Sequence, residues 1–592
     1  VSSDDSISSH PRSATLAARL DKLNEFERAP ITDDKLHSGK YFAALFAGEH
    51  VAATEFVIGA LFVTWGAGAA DLLWGLVWGN LLAVLSWALI CAPIAVRVRL
   101  TLYWYVRRIV GPGLTVVYNI VNAMLYCCLA AAMIGVSASA VILALSKIPK
   151  FGVVIKHPSL TDVYPNSVGW VVVVMLVGAV VVTLAILGFK KLSLFSSVCA
   201  PWMFLVFIAG ALAVLPKLGE FRNLSELWTL LDTQVFKGEP PAGQAKLGFW
   251  HIMFFAWFAN LAMHVGLSDM ALFRYAKRWT YGFYSAFGMY LGHFLAWVCA
   301  GIMGAAVSSG LNPGEMAYTA AGMAGLLAVL LAGWTTANPT IYRAGLALQI
   351  ATPNWPRWAI TIVAGGITTI IACFPVIFMK LLSFVAIYGL SLMPIGAIIF
   401  AEHWLFPKLG LRQYWAEKRK VFVNLPALIT WVAVLVVCFP IEDFTKHYLE
   451  SPMEMLGVHL FFRWLPGWFL SIVIYVVLCG IWPGARGSSE EAPTTIPTGV
   501  GPVTSTAGAT SPVSRPVTLT RNGVSYVAST VTLLSLAVCL YLPVRVFLGG
   551  SDPEVYEVNV AAYKTGFMIT TVIYFIAAIA WAGQRERARH IK

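Results

Sequence analysis

Residues 331–348 read LAGWTTANPTIYRAGLAL. An apolar helix runs into Trp334, sets Thr335 and Thr336 side by side, is interrupted by Asn338 and Pro339, and resumes with Tyr342 and Arg343. Two adjacent hydroxyls at the end of a buried helix can serve as ion ligands. Equally, each can bond back to a carbonyl one turn earlier, as threonines in apolar helices commonly do. The stretch admits both readings, and its surroundings must separate them.

Those surroundings are a membrane protein's. The chain of 592 residues is 58% hydrophobic and only 12% charged, with a mean hydropathy of +0.74, far outside the range of soluble domains. A hydrocarbon core about 30 Å thick needs about 20 apolar residues per helix. Runs of that kind fall at 42–66, 71–96, 113–145, 168–188, 194–216, 248–267, 281–308, 316–337, 358–379, 381–404, 422–440, 461–482, 523–548 and 561–583. The pattern predicts an all-α polytopic protein of fourteen helices, twelve in one block and two set apart.

The net charge of +12 is a matter of distribution. With the N-terminus in the cytoplasm, every even-numbered helix ends inside, and each such boundary is basic. Arg97 to Arg108 follow helix two, Lys190 and Lys191 helix four, Arg274 to Arg278 helix six, Arg343 and Arg357 helix eight, Lys408 to Lys420 helix ten, and Arg585 to Lys592 close the chain. This is the positive-inside rule. It accounts for the charge without nucleic acid and places both termini on the cytoplasmic side of a cell (inner) membrane. Residues 1–40 are polar and read as a cytosolic tail. Residues 484–521, rich in Pro, Ser, Thr and Gly, read as a flexible linker, and 522–592 as a two-helix hairpin with a basic tail that packs on the bundle or on a partner subunit. Six of the nine cysteines lie in apolar runs and none in a CxxC spacing, so they read as buried hydrophobes.

Ionisable groups inside apolar spans are functional candidates by default. Helix one carries Glu49, His50 and Glu55 in GEHVAATEFVIGA. Helix six, FWHIMFFAWFANLAMHVGLSDMALFR, sets Asn260 and His264 one turn apart behind Trp257 and Phe258, and breaks its apolar pattern at Gly266, Ser268 and Asp269. Helices one and six are five apart, as are the broken helices of transporters built from inverted five-helix repeats, with substrate between them at the midplane. In helix three Asn119, Asn122 and Tyr126 share a face. An amide can pair with the edge of a planar heterocycle while an aromatic ring covers its face; an interhelical hydrogen bond is the competing reading.

With these residues in place, 41–405 resembles the nucleobase-cation symporter family of purine/cytosine permeases and hydantoin transporters. WTTANPTIYRAGLAL is similar to the family's eighth-helix signature, SDMALFRYAK to the end of its sixth helix, LMPIGAIIFAEHWL to the end of its tenth, and Gly79-Asn80 to a recurrent Gly-Asn in helix two. The resemblance implies a leucine-transporter-type fold, an inverted repeat of five plus five helices, with helices eleven and twelve in 406–483 outside that core. It implies a sodium site of Thr335, Thr336 and the Ala332 carbonyl, completed by helix-one carbonyls from around Ala52 to Glu55. It places substrate contacts at Asn122, Tyr126, Trp257 or Phe258, and Asn338 or Thr340, and Asn260 joins them as a candidate from the helix-six pattern. Ala337 stands where the family often has Asn, and the first helix is unusually acidic, so Glu55 becomes a candidate to neutralise a cation or to carry a proton.

The expectation is a secondary active transporter that imports a small planar nitrogen heterocycle with sodium, or with protons, and needs no other cofactor. Two alternatives stay open: an amino acid or quaternary amine carried on the same fold, and a transporter-derived sensor that binds a protein partner through 484–592. His50 and His403 each adjoin a glutamate but neither forms HExxH, so an enzyme is not expected.

Overall fold

The structure is a computed structural model and describes residues 29–148, 163–240, 246–307, 312–352, 355–439, 441–442, 448–449, 451–487, 523–549 and 552–590. Most of the expected tail, at 1–28, and of the expected linker, at 488–521, lies outside them. Among the described residues ten helices are long and apolar enough to cross a membrane, and the bent pair Gly39–Glu49 and Thr54–Thr64 makes an eleventh. The shorter apolar helices Phe249–Phe258, Arg357–Ala372 and Leu425–Cys438 occupy the sixth, ninth and eleventh expected positions. The protein is a multi-pass α-helical membrane protein, and its described strands are one antiparallel pair of two residues each, Ile441–Glu442 with Tyr448–Leu449.

The repeat is visible in which spans touch. Thr54–Thr64 of span one lies along Leu295–Ala306 of span seven, and Phe249–Phe258 of span six lies along Ala69–Ser86 of span two. Exchanging each span for its counterpart five positions away, one for six and seven for two, turns the first pairing into the second. The pair formed by Pro112–Ser146 and Pro313–Leu348, spans three and eight, maps onto itself in the same way. Glycines allow both related contacts to close: a Cβ on Gly59 would strike the Trp297 carbonyl, and one on Gly79 the Met253 carbonyl. In lipid, where apolar surface has no water to escape, such small-residue contacts hold helices together.

Two spans are broken where the sequence loses its apolar run. Span one bends by 56° between Glu49 and Thr54. Span six stops at Phe258, makes a single turn at Leu261–His264, and restarts at Met270. Between those pieces Leu267 adopts a left-handed conformation (φ 64°), with the amides of Ser268 and Asp269 bonded to the Ala262 and Met263 carbonyls at 3.1 and 3.2 Å. Irregular backbone at membrane depth persists only where protein or a cavity satisfies it.

Span eight departs from the expectation. It is not interrupted at Asn338 and Pro339 but runs on to Leu348, and its non-helical residue is Gly322 (φ 61°, ψ −142°). Pro339 removes one amide donor, while dense packing keeps the following turns helical and Thr340 Oγ1 donates to the Thr336 carbonyl at 2.7 Å. The extension carries Arg343 inward. Arg343, Arg274 and Arg357, counted above among the basic helix boundaries, are all fully buried. Arg274 donates to Tyr342 Oη at 3.1 Å and Arg357 to the Ile186 carbonyl at 2.7 Å. Local charge patterning marks a basic boundary but does not distinguish a solvated arginine from one whose partners lie on distant spans.

The C-terminal hairpin, Gly523–Leu548 and Pro553–His590, packs on the bundle against span five, Phe189–Lys217. Trp202 Nε1 donates to Thr571 Oγ1 at 2.9 Å, Tyr574 Oη to the Val198 carbonyl at 2.7 Å, and Tyr556 Oη to the Ala213 carbonyl at 2.9 Å.

Candidate substrate and ion site

The breaks in spans one and six face one cavity of about 660 Å³, whose wall includes Ala52, Glu55, Phe258, Asn260, Thr336 and Thr340. It continues past Trp65 and Leu247 to His459–Phe461 at the start of span twelve. Helix breaks concentrate polar backbone, and apolar spans supply the rest of the wall, the usual composition of a small-molecule site.

At one edge oxygens converge. Thr335 Oγ1 donates to the Ala332 carbonyl at 3.1 Å, and Thr336 Oγ1 lies 3.1 Å from that same carbonyl. So far this is ordinary back-bonding. Thr336 Oγ1 also lies 2.9 Å from the Glu49 carbonyl, the last of the helix that ends there, and so joins span eight to the break in span one. These three contacts link two hydroxyls and two carbonyls, oxygen donors of the kind hard cations take. The helix-one carbonyl beside Thr336 belongs to Glu49, upstream of the stretch from Ala52 to Glu55 that the resemblance pointed to. Among the described residues no group of three His, Cys, Asp or Glu side chains is placed to hold a metal ion.

Glu55 opens the second half of span one, and its carboxylate accepts from Trp297 Nε1 of span seven and from Thr54 Oγ1 at 3.3 Å. His293, one turn before Trp297 and stacked on it with centroids 4.3 Å apart, brings Nε2 to 3.8 Å from Glu55 Oε1. The His50 ring lies 5.1 Å from that of His293, and His50 Nδ1 donates to the Phe46 carbonyl at 2.9 Å. The sequence carries a signal for His293, an ionisable residue in an apolar span, although the candidates named above lie on helices one, three, six and eight.

The other expected residues are divided. Trp257 turns away from the cavity, its Nε1 donating to Ser86 Oγ at 2.9 Å and its ring set against Trp464 at 4.5 Å. Asn122, Tyr126 and Asn338 are buried outside the cavity wall. Tyr126 Oη accepts from Tyr103 Oη at 3.2 Å; among the described residues the amide atoms of Asn122 and Asn338 have no hydrogen-bond partner. On the N-terminal side of the cavity lies an ionic cluster that sequence reading missed. Arg343 pairs with Glu49 at 2.5 Å and with Asp269 at 2.6 Å, and Asp269 accepts from Trp87 Nε1 at 2.7 Å.

No family model matches the chain, and no curated protein does. Solved structures do match. Mhp1, a nucleobase-cation-symport-1 family transporter, in a closed conformation with bromovinylhydantoin bound, aligns at a TM-score of 0.59 and 14% identity over 77% of this chain and 95% of that one. Its inward-facing conformation aligns at 0.56 and 15% identity over 79% and 97%. A Na⁺-coupled sialic acid symporter in a substrate-bound outward-open state aligns at 0.54 and 13% identity over 80% and 97%. At these identities the likeness concerns architecture: the chain has the fold these transporters share, with its cavity at the paired breaks of spans one and six.

Proposed function

We propose that the protein is a secondary active transporter that couples entry of a small planar nitrogen heterocycle to a cation, sodium in the first instance, by alternating access. The observation that carries this reading is the bridge from Thr336 Oγ1 to the Glu49 carbonyl, which ties span eight to a break in span one beside an internal cavity. Ala332, Thr335, Thr336 and Glu49 would hold the ion, which supplies charge to an otherwise oxygen-lined seam. A cation held there favours the arrangement in which spans one and eight are joined, and a ligand shifts a conformational equilibrium only through such differential binding.

The symport activity of structural neighbours supports the reading, as do the orientation given by the basic boundaries and the extent of the cavity. With the N-terminus in the cytoplasm, the end of the cavity near Trp65 and His459 faces outward and the Arg343 cluster lies on the cytoplasmic side. Uptake of labelled cytosine, uracil, hydantoin and allantoin into proteoliposomes, with and without an inward sodium gradient, is the test. Accumulation that ignores the gradient removes sodium coupling; no uptake of any heterocycle removes the substrate class.

A further inference from the structure

The cavity treats its two acidic residues differently. Glu49 is paired with Arg343, which it shares with Asp269. Glu55, 3% exposed, has no Lys or Arg partner among the described residues, and its ionisable neighbour is His293. The described wall contains no lysine or arginine at all. A carboxylate taken out of water without a cation is costly, and one placed on a cavity wall has its missing partner in whatever enters.

The remaining polar groups point the same way. His50 and His293, 4% and 5% exposed, both line the cavity, and each has a ring nitrogen without a hydrogen-bond partner among the described residues: His50 Nε2 and His293 Nδ1. His50 gives its Nδ1 hydrogen to the Phe46 carbonyl, so in the neutral ring Nε2 is an acceptor. The indole hydrogen of Trp297, a donor of the kind a neutral nucleobase carbonyl would seek here, is already given to Glu55. This wall therefore offers a carboxylate and an imidazole acceptor, with Trp297, Phe255 and Phe258 supplying aromatic surface on which a cation is favoured.

We propose that the substrate is a planar organic cation rich in N–H donors, of the cyclic amidinium or guanidinium class, with Glu55 as its counter-charge and His50 as an acceptor. This rests on the transporter reading above and narrows it. An anion would meet acceptors, and a quaternary ammonium would leave them unpaired.

The probes are 2-aminoimidazoline, a planar cyclic guanidinium; hydantoin, a neutral ring of similar size; and tetramethylammonium, a cation without N–H groups. Protection of the purified full chain against thermal unfolding reads binding to the native state. We expect 2-aminoimidazoline to protect most, and Glu55→Gln to weaken its binding about tenfold or more, as loss of a buried charge-assisted hydrogen bond does. Because Glu55→Gln can fail to fold, Glu55→Asp serves beside it and should keep the preference for the cation. Hydantoin or tetramethylammonium protecting as well as 2-aminoimidazoline, no protection by 2-aminoimidazoline, or unchanged affinity in a folded Glu55→Gln variant would each overturn the proposal. Sodium-driven uptake of labelled hydantoin by the same preparation keeps the transporter reading standing when the cation preference fails, and absence of driven uptake of either ring removes that reading.

Discussion

Glu49 holds Arg343 through both carboxylate oxygens, at 2.5 and 3.1 Å. The same residue turns its main-chain carbonyl to Thr336 at 2.9 Å, so the ionic cluster and the oxygen seam share one residue at the break in span one. Arg343 also holds Asp269 of span six, which Trp87 of span two contacts through its indole hydrogen. Three spans thus meet at one buried guanidinium, and span two joins them through Asp269. A fork of donors suits this arrangement, since two carboxylates can be bonded at once.

Arg343→Met should destabilise the protein by about 3–5 kcal/mol, because it leaves Glu49 and Asp269 buried without their cation. Arg343→Lys should recover only part of the loss, since an ammonium does not reproduce the fork. Adding Glu49→Gln to Arg343→Met should cost less than the two losses summed, as expected for residues in one network. Thermal unfolding of the wild type, the three single variants Arg343→Met, Arg343→Lys and Glu49→Gln, and the double variant measures this, and additive losses would show that the cluster does not act as a unit.

Thr336 is expected to matter to ion binding beyond its back-bond. Thr336→Val keeps the shape and removes the oxygen that lies beside both Ala332 and Glu49 carbonyls; Thr336→Ser keeps the oxygen. Sodium should raise the unfolding temperature of the wild-type chain and of Thr336→Ser, and should do so weakly or not at all for Thr336→Val, by mass action on the native state. Equal sodium protection in all three would place the ion elsewhere.

The sequence made much of this legible, for identifiable reasons. Hydropathy located the spans because lipid imposes length and internal hydrogen bonding on each of them. The breaks in spans one and six could be read because polar residues interrupt otherwise apolar runs. What the basic-boundary reading did not supply was the burial of Arg343, Arg274 and Arg357. Each is satisfied by partners far away in sequence, Glu49 lying 294 residues from Arg343, and no local pattern encodes such a pairing. Pro339 misled for the opposite reason: the local signal was strong, but packing on all sides of span eight overrode it. Trp257 and Tyr126 carry suitable chemistry on the expected spans, yet side-chain direction is set by neighbours such as Ser86 and Tyr103.

The glycines at the two symmetry-related contacts should be intolerant of a methyl group. At both Gly59 and Gly79 the obstacle is a backbone carbonyl, of Trp297 and Met253 respectively, which cannot swing aside as a flexible side chain would. Gly59→Ala and Gly79→Ala should each cost about 1–3 kcal/mol, whereas Gly366→Ala, where a Cβ would meet nothing within 4 Å, should be neutral or slightly stabilising. Unfolding midpoints of the three variants decide, and a tolerated Gly59→Ala would mean that spans one and seven are more loosely packed than described.

The C-terminal hairpin should behave as part of the bundle. Within a bilayer its contact with span five gains no hydrophobic driving force, so the interhelical bonds and close packing must hold it, each such bond contributing about 0.6–2 kcal/mol. Of the three bonds to span five described above, Trp202 Nε1 to Thr571 links side chain to side chain, which makes it suitable for a double-mutant cycle. Trp202→Phe and Thr571→Val should each lower stability, and together should cost less than their sum by about the strength of that bond. Truncation after residue 487 should lower the unfolding temperature further, because the Val198 and Ala213 carbonyls then also lose their tyrosine donors. A truncated chain as stable as the full one would instead favour a hairpin kept for binding another protein.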